Sequence, residues 1–535
     1  MKRIVVVGSG PSGVHFAISL LERGHRVTMV DAGRTGEPPV APEATLNRLK
    51  ESLPDPSAYF LGSDFSGVTF PGDDSEYYGF PPHKNYIFEH VPGFSVDSRG
   101  FSPLFSFARG GLAEAWTAGT YPLNDRELAE FPFCERELLP CYEEVARRIG
   151  VTGEDDDLAE FIPVHDHLLP PLRLDEHSRR LLAAYVRRRD TIQSFGCYMG
   201  RTRVATLSKD LGSRRACDFK GRCIWGCPTE SLYTPSLTLR ECRRYSDFEY
   251  LPGLEVQRFR VQGGRAVALI MQEIDGGGER ELPFDGSLAL AAGTLCSARI
   301  FLNSIHYESG AVPRLPGLMD NRQMLVPFVN LSMIGRRFSA DSYQYHLLGV
   351  AIVSQDNADY VHGQITTLKT ALLHPIIQKL PLDLRTATEI TRALHSGLGL
   401  VNLNFHDTRR EENYVTLDVS EPKLRPRLVI RYSPDSKEPS RVKTALRKLK
   451  RFLWKLGCIV PPGMAHVRPM GSSVHYAGVL PMSAEKKPLT TDSHGRSHDF
   501  ENVFLVDGST FPYLPAKNLT FTLMANATRI AREAF

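Results

Sequence analysis

No uninterrupted apolar run approaches the roughly 20 residues that a bilayer-crossing helix needs, so the sequence offers no spanning segment. An excess of one charge is also lacking. The 64 Lys and Arg residues face 61 Asp and Glu, net +3, and nothing in that balance calls for a nucleic-acid partner. Cysteine is sparse and odd in number, nine in 535 residues, which reads as reduced thiols. Three of them, Cys217, Cys223 and Cys227, lie close together. Their spacing supplies neither a paired C-x-x-C nor a four-cysteine run, and no paired histidine is near, so structural thiols are expected and no metal site. Room for a cleavable leader is missing too, because the first strand begins at Ile4, and a cytoplasmic location is the expectation. Neither an internal repeat nor a long low-complexity tract is present.

What is present begins at once. From Lys2 to Gly33 the chain reads KRIVVVGSGPSGVHFAISLLERGHRVTMVDAG. The short β-branched run Ile4 to Val7 has the texture of a strand buried on both faces. A helix follows, with Val14, Ala17, Ile18 and Leu21 at helical spacing and Gly24 as its stop, and Val27 to Val30 forms a second strand ending at Asp31. Gly8 allows the tight turn, Gly10 lets a pyrophosphate approach the amides at the helix start, and Gly13 lets helix and strand pack closely. Asp31 stands where a carboxylate accepts hydrogen bonds from a ribose. Strand, glycines, helix and acid fall at the spacing of a dinucleotide site, but an acid at this position serves NAD and FAD alike.

Beyond it, residues 34 to 100 are rich in Pro, Gly, Ser and Asp with interspersed aromatics such as Tyr77 and Tyr78, and read as a long irregular excursion over a site. The dense small residues of Arg109-Gly110-Gly111-Leu112-Ala113-Glu114-Ala115-Trp116 suggest backbone pressed against a flat ligand. Leu138 to Ile149 reads as a helix closed by Gly150. Strands are expected at Leu254 to Phe259, Ala266 to Gln272 and Leu288 to Ala292, the last followed by a glycine turn and a helix from Cys296. This second strand, turn and helix completes the N-terminal unit from distant sequence. Farther on, Val415 to Val419 and Arg427 to Tyr432 alternate as half-buried antiparallel strands. Glu438 to Leu456 is a helix with an apolar stripe and a basic remainder, either a solvated face or a contact for a membrane surface or an acidic partner. Leu372 to Leu400, apolar but divided by Pro375 and Pro381, reads as a cover over a pocket or a surface for a membrane.

The C-terminus sets His475 among small residues, in Gly471 to Gly478. It then runs Val503-Phe504-Leu505-Val506-Asp507-Gly508 as a strand entering an acidic turn, before Lys517-Asn518-Leu519-Thr520 and a last helix. With these blocks in order, GSGPSG with VDAG, RGGLAEAW, GRCIWGCPTES, LALAAGTLCSARIFLNS, VHYAG and the terminal VFLVDGSTFPYLPAKNLTFTLMANATRIA, the chain resembles the glucose–methanol–choline (GMC) oxidoreductases. The resemblance spans nearly the whole chain.

It implies an α/β fold: a discontinuous Rossmann-like FAD-binding domain from 1–125, 200–310 and 460–535, and a substrate domain of antiparallel sheet and helices from 126–199 and 311–459. FAD would be held by Gly8, Gly10, Gly13, Asp31, Ala32, Arg109, Gly110, Gly111, Ala115, Trp116, Val256, Ala292, Gly293, Asp507, Gly508, Asn518 and Thr520. His475 matches the family's catalytic base and Asn518 its partner. The implied reaction is oxidation of a CH–OH group to a carbonyl, with a sugar, glycoside or other polar alcohol as substrate and oxygen, a quinone or a carrier protein as electron acceptor. The alternatives are a non-redox flavoprotein, such as a lyase or isomerase, or a membrane-docked or partner-docked member of a biosynthetic assembly. Departures from the family pattern are Asp31 in place of Glu, Gly478 to Met482 after the histidine, and Leu519 in place of Pro. Because Ala115 stands where some relatives carry a flavin-linked histidine, FAD is expected to be non-covalent.

Overall fold

Ile4–Val7 and Val27–Val30 pair in parallel, Ile4 beside Val27 and Val7 beside Val30, and every residue of both is buried. Continuous apolar strands of this kind are stable only inside a sheet covered on both faces. In the computed structural model, which describes residues 3–36, 41–68, 76, 78–336, 341–353, 360–369, 373–421 and 423–535, that is where they lie. Lys2, Tyr77 and Leu372 fall outside the described residues.

The parallel sheet has five strands, in the order Val503–Leu505, Ser287–Leu290, Ile4–Val7, Val27–Val30 and Phe248–Leu251. Three of the five come from sequence far from the N-terminus, so the unit is discontinuous. Helix Pro11–Leu21 follows the glycine turn, with Pro11 at its first position, where a missing N–H costs nothing. It packs on the last helix, Thr520–Glu533, with Ser19 beside Thr528, and Phe16 meets Phe535 just past that helix's end. Phe248–Leu251 is an edge strand that the sequence pattern does not mark. Its register against Val27–Val30 places Leu251 beside Val30.

The second unit is built on a seven-stranded sheet in which Gln323–Asn330, Leu398–Asn404, Tyr360–Thr367 and Leu348–Val353 run antiparallel to their neighbours. Helix Glu438–Lys455 lies on one face of it. Its Ala445, Leu449, Phe452 and Leu453 are buried in a core shared with Met324, Val326, Phe328, Val401 and Leu403. The apolar stripe is therefore occupied by the sheet. Tyr414–Asp418 and Arg427–Arg431 form the expected antiparallel pair in a separate four-stranded sheet.

Three segments differ from the sequence reading. Residues 34 to 100 are not irregular throughout, because helices Leu46–Ser52 and Pro56–Leu61 pack around Trp225. Val96–Arg99 pairs with Arg427–Arg431, whose Leu428 and Ile430 share a buried core with Val5, Val7 and Leu290, so strands assigned to the substrate domain pack on the nucleotide sheet. Cys197–Arg201 lies across the 199/200 boundary and belongs to the seven-stranded sheet. Such pairings are long-range, and local composition carries no trace of them. No described helix is long and apolar enough to cross a membrane.

The turn at Gly8 is closely packed. A Cβ on Gly13 would collide with the carbonyl oxygen of Gly8, itself at φ +100°. Gly13→Ala should lower stability by about 1–3 kcal/mol, read as a fall in the thermal unfolding midpoint. An unchanged midpoint would mean that the turn yields without cost.

Candidate active site

The glycine turn, the ends of the parallel strands, the Ala115–Trp116 loop and the C-terminal segment enclose one cavity of about 1250 Å³. That exceeds the roughly 300–1,000 Å³ of an ordinary small-molecule pocket, so it has room for a dinucleotide and a second ligand. Gly8, Gly10, Asp31, Ala32, Gly111, Ala115, Trp116, Val256, Ala292, Gly293, Asp507, Gly508, Asn518, Thr520 and His475 line it. Gly13, Arg109 and Gly110 do not. Gly13 is packed beneath the turn, the Gly110 N–H is spent on Ser9 Oγ at 2.9 Å, and the Arg109 N–H bonds the Arg34 carbonyl at 2.9 Å. These three hold the wall in place from behind.

Gly10 differs from the other two fingerprint glycines. Apart from its chain neighbours, nothing of the protein lies within 4 Å of the point where its Cβ would be, so the start of helix Pro11–Leu21 faces open cavity. Backbone amides at a helix start favour an anion. Asp31, at the end of the second strand, is buried and accepts hydrogen bonds from Ser9 Oγ and, at 2.9 Å, from the Tyr250 hydroxyl. Burial raises its pKa to about 6, against the opposing pull of those donors. An open amide cradle, a carboxylate one strand away and a long cavity fit FAD.

Asp507 closes the far side. Its Oδ2 accepts from the Gly293 N–H at 2.9 Å and Ser297 Oγ at 2.6 Å, and its Oδ1 from the Ser509 N–H at 3.0 Å and Ser509 Oγ at 2.7 Å. The C-terminal segment is thereby tied to the turn after Ser287–Leu290. The small-residue loop is fastened in a similar way. Trp116 Nε1 donates to the Tyr233 carbonyl at 2.7 Å, and the Ser236 N–H donates to the Glu114 carboxylate at 2.9 Å.

His475 and Asn518 both meet the cavity, each with a partner that sequence did not reveal. Asn321 Nδ2 donates to the carbonyls of Phe405 at 2.8 Å and Pro515 at 2.9 Å, which turns its Oδ1 toward His475 Nδ1, 3.0 Å away. An acceptor there requires Nδ1 to carry the proton. The ring nitrogen left for the cavity, Nε2, is then a lone pair. Burial, with a smaller effect from Arg468, lowers the His475 pKa to about 4, so the ring is neutral at physiological pH. Gln364 Nε2 donates to Asn518 Oδ1 at 2.6 Å, which leaves the Asn518 amide nitrogen as the group free to donate. His346 also lines the cavity, with its own pKa pushed down to about 4 by burial.

Asn321 and Gln364 lie 154 residues from the side chains they orient. No motif spacing connects such pairs.

A parallel nucleotide-binding sheet whose open glycine turn shares one cavity with a neutral histidine and an oriented amide defines a dinucleotide-dependent oxidoreductase. Residues 409–527 match the family model described as GMC oxidoreductase. It is 23% identical to the 6'''-hydroxyparomomycin C oxidase of Streptomyces lividus over 561 residues, covering 99% of this chain and 90% of that protein. It is 23% identical to the paromamine 6'-oxidase of Streptomyces fradiae, with the same coverage, and 20% identical to the 2-methyl-1,2-propanediol dehydrogenase of Mycolicibacterium austroafricanum, covering 98% and 94%. Among solved structures it is similar in fold to pyridoxine 4-oxidase from Mesorbium loti, with a TM-score of 0.61 at 16% identity over 100% of this chain and 99% of that one. An FAD-dependent oxidoreductase from Chaetomium thermophilum gives a TM-score of 0.59 at 13% identity, covering 99% and 98%.

Because the space beside Gly10 is empty of protein, Gly10→Val should leave the thermal midpoint of the apoprotein nearly unchanged while abolishing retention of yellow flavin through purification. Flavin retained at the wild-type ratio would remove Gly10 from the phosphate site.

Proposed function

We propose that this protein oxidises a hydroxyl group, CH–OH, of a sugar-like or glycoside substrate to a carbonyl, using non-covalently held FAD. The observation that carries the reading is the Asn321-fixed ring of His475, which presents a neutral nitrogen base to the same cavity as the glycine turn. The names of the two Streptomyces oxidases and of the diol dehydrogenase support a hydroxyl substrate. Ala115 at the cavity wall, with no side chain able to bond a flavin, supports non-covalent binding.

FAD, when bound, supplies the acceptor for the hydride that leaves the substrate carbon. The chain's own residues do the rest. His475 Nε2 takes the hydroxyl proton, as a lone pair on a neutral ring can. The Asn518 amide nitrogen donates to the alcohol oxygen and orients it without competing for the proton, its own orientation set by Gln364. Asn321 is a positioning residue, since it holds the ring in the tautomer that leaves Nε2 unprotonated. Desolvation of the ring at the cavity wall lowers its pKa.

His475→Ala should leave FAD bound but slow anaerobic flavin reduction by about 10²-fold or more, and unchanged reduction would remove His475 from the chemistry. Asn321→Ala should slow the same step by about 10²-fold through misplacement of the ring, with the flavin spectrum undisturbed. The pH profile is a separate check. A base whose pKa lies near 4 rather than the ordinary 6.5 stays active as pH falls from neutrality and loses rate only as pH drops through about 4. An acid limb near 6.5 would mean that the ring is not desolvated in the working enzyme.

A further inference from the structure

The cavity does not end at His475 and Asn518. It continues along one face of the seven-stranded sheet, and the backbone register orders that face row by row. Asn402 and Leu325 are paired, and Asn402 is paired on its other side with Gln364, which bonds Asn518. The next row away from the chemistry is Thr366, Leu400 and Pro327. In the last row the Leu368 N–H bonds the Leu398 carbonyl, and Leu398 is paired with Val329. All nine side chains belong to residues that line the cavity. The face thus runs from amides at the hydroxyl site to hydrocarbon at the far end. Four residues of strand separate Gln364 from Leu368, so the gradient extends over about 13 Å.

The roof over this end is apolar as well. Ile376 from helix His374–Gln378 and Ile390 and Leu394 from helix Leu384–Leu394 line it, and Lys379 is the one charged side chain these two helices and their connection add. No carboxylate lies among the nine residues of the sheet face or among the cavity-lining residues of the two helices and their connection. Among the described residues four acids line the cavity, and each is already engaged: Asp31 by Ser9 and Tyr250, Asp507 by Ser297 and Ser509, Glu255 by Arg299 and Arg425, and Glu76 by His466 and Arg468. A cationic group lying on this arm would meet no counter-charge there, which costs free energy when the site is dry.

We infer that the substrate is amphiphilic: a neutral hydroxyl-bearing head held at His475 and Asn518, joined to an apolar tail or aglycone that lies on Thr366, Leu368, Leu398 and Leu400 beneath the two helices. This rests on the proposed function for the identity of the hydroxyl end, and it names the chemical class of the remainder. The tail is bound by removal of hydrocarbon from water, so affinity grows with tail length until the arm is full.

The test uses the FAD-loaded full-length protein with n-alkyl β-glucosides from methyl to decyl, the primary alcohols of the same lengths, and paromamine as an aminated sugar. Two quantities are read: binding, by perturbation of the oxidised flavin spectrum, and anaerobic flavin reduction. Apparent affinity in at least one alkyl series should rise up to about fourfold per methylene and then level off, with paromamine weaker than the octyl compound of that series. Leu398→Gln together with Leu400→Gln should flatten the chain-length dependence while leaving the affinity for the shortest member within about twofold, which separates a lost tail site from a misfolded protein. Affinity that does not rise with length in either series, or tight binding of paromamine, overturns the inference. Length-dependent binding without reduction by any compound would leave the apolar arm standing and overturn the proposed oxidation instead.

Discussion

A single buried carboxylate, Asp507, makes the two ends of this chain into one site. Its two oxygens accept four hydrogen bonds, two from the turn and helix after Ser287–Leu290 and two from Ser509. A carboxylate taken out of water is costly unless its lone pairs are met, and here they are met by groups as far as 214 residues away. The strand before Asp507 joins the parallel sheet beside Ser287–Leu290, and the residues after it bring Asn518 and the last helix to the first. Without that tie the cavity has no far wall, and the glycine turn faces solvent instead of a reaction site.

A second constraint is orientation. Histidine and asparagine side chains each present alternative faces, and a site that needs a base at one nitrogen has to choose among them. Here the choice is made by backbone carbonyls at Phe405 and Pro515, which fix the Asn321 amide and through it the imidazole. The orientation of the ring is therefore set by Asn321, Phe405 and the C-terminal Pro515, away from the nucleotide turn. That separation allows each to change without the other.

The parts legible in the sequence are those whose physics is local. Ile4–Val7, the glycine turn, Val27–Val30, the strand at Ser287–Leu290 and the helix Glu438–Lys455 follow from burial patterns and periodicity, and all stand within a residue or two of where the pattern puts them. His475 and Asn518 were found through ordered motif blocks, and the cavity brings both to one place. Missing from the sequence were the pairings between distant strands. Phe248–Leu251 and Val96–Arg99 are short and partly exposed, and their membership in a sheet is decided by the neighbour. The orienting residues Asn321 and Gln364 were invisible for the same reason, because an amide that works by pointing at a distant side chain leaves no spacing to read. Gly13, Arg109 and Gly110 mark a further limit: a motif identifies residues needed for a site without saying which of them touch the ligand.

The seven-stranded sheet has two sides, and successive letters of its strands address different tasks. Met324 and Val326 lie in the core shared with helix Glu438–Lys455, while Leu325, Pro327 and Val329 line the cavity. Stability and ligand preference are thus encoded on interleaved positions of one strand, and a codon change at an odd-numbered residue from 325 to 329 leaves the neighbouring core contacts in place. A lineage can drift in what it accepts while its scaffold is conserved. An insertion or deletion of a single residue in the same strand would exchange the two sets and forfeit both, so diversification along this wall is confined to substitution.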